Sequence, residues 1–70
     1  MMPLTIADLG QELIIRKVGG SPEVRKHLED IGFSAGSSVT VVSAIAGNVI
    51  VKVKESRIAI SNEMAMKIMV

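Results

Sequence analysis

Valine recurs at every second position over Val39 to Val41 and again over Val49 to Val53. Val39 and Val41 flank Thr40, and Val49, Val51 and Val53 interleave with Ile50, Lys52 and Lys54. That is the period of a half-buried strand. Gly47-Asn48 lies between the two runs and predicts a turn, so the runs form a hairpin. A tight turn near Glu55-Ser56 leads into a third run, Arg57 to Ser61, with Ile58 and Ile60 on one face. Upstream, Glu12 to Val18 reads as a strand ended by Gly19-Gly20; its contiguous Leu13, Ile14 and Ile15 leave the buried face open.

Between these runs the spacing changes to three and four. Val24, Leu28 and Ile31 form one stripe, with Arg25, Lys26, Glu29 and Asp30 on the wet side, which predicts a helix from Pro22 to Ile31. Ser21 supplies the cap, Pro22 fits the first helical position, and Gly32 supplies the left-handed residue that closes the helix. Thr5 is expected to cap a short turn over Ile6 to Leu9. Asn62 is expected to cap a final turn from Glu63 to Lys67, before an end strand from Ile68 to Val70. Strands this short bury their apolar faces best by curling into a small barrel, which also removes exposed edges, with the helix over one open end.

Length bounds this picture to one domain, residues 1–70, and a chain this short buries only about 60% of the surface its unfolded form exposes. There is no cysteine and only one histidine, His27, so disulfides and Cys/His zinc sites are excluded as staples. Nine Ile and nine Val against a single aromatic, Phe33, make the core β-branched and favour a mainly β fold. The net charge of +1 offers no field to recruit a polyanion, so nucleic acid is not the expected partner. From Ile31 to Val51 no charge interrupts the chain, about the length of a membrane span, but three glycines, four serines, a threonine and an asparagine within it and its alternation mark two strands and a turn. The first residues carry neither a basic segment nor an apolar stretch of signal-peptide length, which predicts a cytoplasmic protein.

Leu28-Glu29-Asp30-Ile31-Gly32-Phe33-Ser34-Ala35-Gly36-Ser37-Ser38-Val39-Thr40-Val41 resembles the FeoA pattern of Leu, two residues, an aliphatic, Gly, an apolar, two residues, Gly and alternating aliphatics. Leu4 to Leu9 is similar to that family's opening turn, Gly19-Gly20 to its paired glycines, and Ile58 through Val70 to its closing segment. Two departures stand out: Ala35 where many relatives carry proline, and a Gly47-Asn48 turn without the usual proline. The resemblance implies an SH3-like barrel of five or six antiparallel strands. It also implies a role as a non-catalytic cytoplasmic accessory that binds and modulates a membrane ferrous iron permease carrying a GTP-binding domain, reaching the inner face of the membrane through that partner. Similar domains follow helix-turn-helix segments in metal-responsive repressors. An SH3-like nucleic-acid-binding or metal-regulator domain is therefore the alternative, disfavoured because no such segment precedes this one.

The residues themselves mark no catalytic centre. The seven serines fall at caps, turns and strand faces, and no base stands in a recognisable relation to any of them. Glu23 and His27, four apart on one helical face, can bridge a transition metal, but two ligands on a solvated helix fall short of a site, and no metal or cofactor is assigned. Met64, Met66 and Met69 form a soft cluster in which Met64 is expected to pack and one of the others to face an interface. Lys52, Lys54 and Arg57 make a basic strip without stacking aromatics, which fits strand solvation better than nucleic-acid binding. The same lack of aromatics argues against a proline-rich ligand. The expected partner-binding residues are therefore Glu23, Arg25, Lys26 and Glu29 on the helix, with Phe33 partly exposed at its exit. The hairpin near Asn48 to Lys54 is the second candidate surface.

Overall fold

A computed structural model describes all residues, 1–70. The elements run β1 (Glu12–Ile14), β2 (Lys17–Val18), α1 (Pro22–Asp30), β3 (Ser38–Ile45), β4 (Asn48–Val53), β5 (Ser56–Ser61), α2 (Asn62–Ala65) and β6 (Ile68–Met69), after a 3-10 turn over Leu4–Ile6. The fold is mainly β and antiparallel, as the alternation predicts. Its strands form two sheets, a four-stranded one in the order β1-β3-β4-β5 and a ribbon of β2 and β6, and do not close into a continuous barrel.

The expected strand from Glu12 to Val18 is divided between these sheets. At Ile15 the chain still bonds the segment before β3, its N–H donating to Ser37 and its carbonyl accepting from Gly36, both at 2.8 Å. One residue later the Arg16 N–H donates to Met69. Ile15 is fully buried at the crossing, which resolves the ambiguity of the Leu13-Ile14-Ile15 run: Leu13 is half-buried and Ile14 faces solvent.

The β3–β4 hairpin turns one residue earlier than expected, at Ala46-Gly47, both at positive φ (49° and 82°). Such values suit the tight turns that match strand twist. From Ile45 opposite Asn48 the pairing runs to Ser43 opposite Ile50, and then the register shifts between Val41 and Ser43. The extra residue, Val42, lets β3 change the parity of its inward positions, so that Val41 and Val39 meet Val51 and Val53 on the buried face. The next turn is likewise one residue early, at Lys54-Glu55, with Lys54 at φ 56°.

The two expected caps, Thr5 and Asn62, are not the caps observed. Ser61 accepts the Met64 N–H at 3.2 Å and caps α2, where Asn62 was expected. The opening turn follows Pro3, without a side-chain cap, and Thr5 lies inside it. Below these elements one core joins Val39, Val41, Val49, Val51, Val53 and Ile60 of the large sheet to Leu28, Phe33, Ala65 and Ile68. No polar or charged side chain is buried. Each fully buried aliphatic side chain contributes about 1.5–3 kcal/mol, so the interior is held by apolar packing and not by buried polar side chains.

Candidate functional site

Helix α1 is the most clearly two-faced element. Ser21 holds an extended backbone and accepts the Val24 N–H at 3.3 Å, which fixes the start of the helix and hence the direction of each side chain after it. Leu28 is fully buried, and Val24 and Ile31 are half-buried against the core. Glu23, Arg25, Lys26 and Glu29 are all exposed. Two anions and two cations thus stand on a helix anchored from beneath.

Phe33 does not join them. The expectation of a partly exposed ring is corrected by its complete burial. Its N–H donates to the Leu28 carbonyl at 2.8 Å, while the Gly32 N–H donates to Glu29 at 3.0 Å, with Gly32 at φ 113°. This pair of backward bonds closes a helix through a left-handed glycine and brings the residue after it over the last turn. The ring therefore enters the core, and of the five residues expected to bind a partner only the four charged ones remain exposed. No Phe, Tyr or Trp side chain is left at the surface, because Phe33 is the only one in the chain.

Glu23 and His27 are both exposed on α1. Nowhere do three or more His, Cys, Asp or Glu side chains gather in a way that could hold a metal ion. Lys52 lies directly opposite Arg57 across β4 and β5, as the basic strip requires, and Lys54 is in the turn beyond them. On the same outer row Thr40 faces Lys52 and Glu12 faces Thr40. Four of the seven serines make structural hydrogen bonds: Ser21 and Ser61 cap helices, and the Ser34 and Ser37 hydroxyls bond each other at 3.0 Å.

Met64 packs against the core, as expected, while Met66 is 57% exposed. Met66 and Met69 line a groove with Lys17 and Lys67. Sequence reasoning found the methionines but not the lysines, since Lys17 is brought beside Met69 only by the pairing of β2 with β6. No helix is long and apolar enough to cross a membrane.

A family model for the FeoA domain matches residues 2–70. A relative from Methanocaldococcus jannaschii, described as "Putative Fe(2+) transport protein A", is 39% identical over 70 residues, covering 100% of this chain and 85% of its own. Among solved structures, the crystal structure of an iron uptake regulatory protein, FeoA, superposes with a TM-score of 0.86 at 25% identity, covering 96% of this chain and 89% of that one. The zinc complex of Stenotrophomonas maltophilia FeoA, described as an SH3 domain protein, gives a TM-score of 0.82 at 21% identity over 99% of this chain and 88% of that one. These likenesses extend over nearly the whole chain and agree with the SH3-like arrangement of its strands.

Proposed function

The chain belongs to the FeoA family of ferrous iron transport proteins, and we propose that it works as a non-catalytic accessory that binds and modulates a membrane ferrous iron permease carrying a GTP-binding domain. One observation supports a binding role above all others: the charged face of α1, Glu23, Arg25, Lys26 and Glu29, stands exposed on a helix fixed by the buried Leu28. Rigid presentation lowers the ordering cost of association. Mixed signs on one face do not select a polyanion; they select a protein surface of complementary pattern and set its register. In this reading the protein sits in the cytoplasm and reaches the inner face of the membrane only through its partner.

The test is capture of the permease from native membranes by tagged protein. Arg25→Glu with Lys26→Glu should sharply reduce capture while the far-UV spectrum and denaturation midpoint stay unchanged, because both side chains lie off the buried stripe. Lys52→Glu with Lys54→Glu should change it less. Undiminished capture by the first variant would remove α1 as the contact. Failure of the unaltered protein to capture any permease would remove the accessory role.

A further inference from the structure

We infer that the outer face of the β2–β6 ribbon is a docking groove for an acidic, apolar segment of a partner protein, a stretch of chain carrying carboxylates beside aliphatic side chains. The floor is rigid because β6 is bonded along both edges. Arg16 and Gly19 donate to Met69 and Lys67 at 2.8 and 2.7 Å, and on the other side Met2 and Val70 exchange bonds of 3.0 and 2.9 Å. Ile68 and Val70 point into the core, so Met69 between them faces outward, with Lys17 directly opposite. Gly20 leaves the space in which the Lys67 stem lies: a Cβ there would stand 3.1 Å from Lys67 Cδ, at a backbone φ of 94° that already favours glycine. The result is a groove of about 440 Å³ whose apolar surface is thioether and methylene, adaptable to more than one side-chain shape.

Charge decides what fits. The groove is lined by two of the chain's eight Lys and Arg, Lys17 and Lys67, and by none of its seven acids. In a protein of net charge +1 this is a local excess of positive charge around an apolar floor. A partner segment of apolar residues flanked by carboxylates satisfies both features, burying its aliphatic groups on Met66 and Met69 and pairing its charges with Lys17 and Lys67. A bilayer meets protruding apolar side chains, whereas this surface is concave. Nucleic acid would need a stacking platform, and the surface has no aromatic ring.

The experiment is a titration of the isotopically labelled protein followed through its amide NMR signals. Three probes are compared: a short peptide alternating aspartate with leucine, the same peptide with lysine for aspartate, and vesicles of phosphatidylcholine with phosphatidylglycerol. At about 1 mM, the range of a weak single-segment contact, the acidic peptide should shift the signals of Lys17, Gly19, Gly20, Lys67 and Met69 and leave those of α1 in place. Lys17→Glu with Lys67→Glu should weaken that response about tenfold or more, the change that a loss of about 1.4 kcal/mol produces. Met66→Asp, at an exposed position, provides a second variant that should do the same if the first does not fold. No groove shifts with the acidic peptide, equal shifts with the lysine peptide, or a response to vesicles alone would each overturn the inference. Because the probes contain no permease, any of these outcomes leaves the proposed accessory role standing.

Discussion

The Phe33 N–H bonds the Leu28 carbonyl across Gly32, and the two side chains, both fully buried, meet the core from the end of the same helix. A single glycine at positive φ thus turns the chain out of α1 and its next residue into the interior. The largest apolar side chain in the protein is spent on the core, and the charged residues of α1 are left as its only outward feature at that end.

Phe33→Ala should accordingly destabilise the isolated domain by about 3–5 kcal/mol. A chain of this length has about 4–10 kcal/mol to lose, so a large unfolded fraction is expected at room temperature. Chemical denaturation checks this. A midpoint close to that of the unaltered protein would mean that the ring lies at the surface after all, and would return it to the proposed contact face.

Lys52 and Arg57 are opposed on the outer face of β4 and β5, and like charges in that position repel by about 0.2–1 kcal/mol. Arg57→Glu should replace repulsion with attraction and raise stability by about 0.5 kcal/mol, an effect that shrinks in high salt because both side chains are exposed. Denaturation midpoints at low and high ionic strength measure it. Equal or lower stability at low salt would show that the two side chains splay apart and do not interact.

At α2 the cap belongs to Ser61, whose Oγ accepts the Met64 N–H. Ser61→Ala should cost about 1 kcal/mol, while Asn62→Ala, in the first helical position, should cost little or gain slightly from helix propensity. Thermal unfolding of the two variants distinguishes them, and the reverse order would restore Asn62 as the cap.

The features legible in the sequence were those carried by a short local pattern. Ser21-Pro22 and the Val24, Leu28, Ile31 stripe suffice for α1, and the alternation of Val49, Val51 and Val53 suffices for β4 and its buried face. What was misread depended on distant partners. The extra residue Val42 has no signature of its own; it exists because Ala44 must oppose Val49 while Val41 opposes Val51. Gly47-Asn48 is a better turn dipeptide than Ala46-Gly47, but the observed register puts Asn48 opposite both Ile45 and Ser61, and Ala46 accepts a positive φ as the consequence. Ile15 ends one sheet and begins another only because Ser37 and Met69 flank it in space. Phe33 is a different case, since a buried residue following a helix-ending glycine is readable from Leu28, Gly32 and Phe33 alone. Lys17 and Lys67 come together through the β2–β6 pairing, which two strands of two residues each cannot announce.

The basic strip provides the sharpest contrast between a permease accessory and a nucleic-acid-binding barrel. The register places Lys52 beside Arg57, with Lys54 in the adjoining turn, so three cations do occupy one end of the β4–β5 hairpin. Barrels that hold single strands combine such a stripe with aromatic rings, each stacked base contributing about 1–3 kcal/mol. Here the one Phe is buried and the exposed His27 ring lies on α1, away from the strip, which leaves phosphate contacts alone. Three such contacts in a protein of net charge +1 give weak attachment that falls with salt as counterions are released. No binding to single-stranded RNA or DNA is therefore expected at micromolar protein and physiological salt, as measured by fluorescence anisotropy. Micromolar or tighter binding that falls steeply with salt and is abolished by Lys52→Glu with Lys54→Glu would overturn the accessory reading in favour of nucleic-acid binding, because nothing in a permease contact on α1 requires the hairpin to hold phosphates.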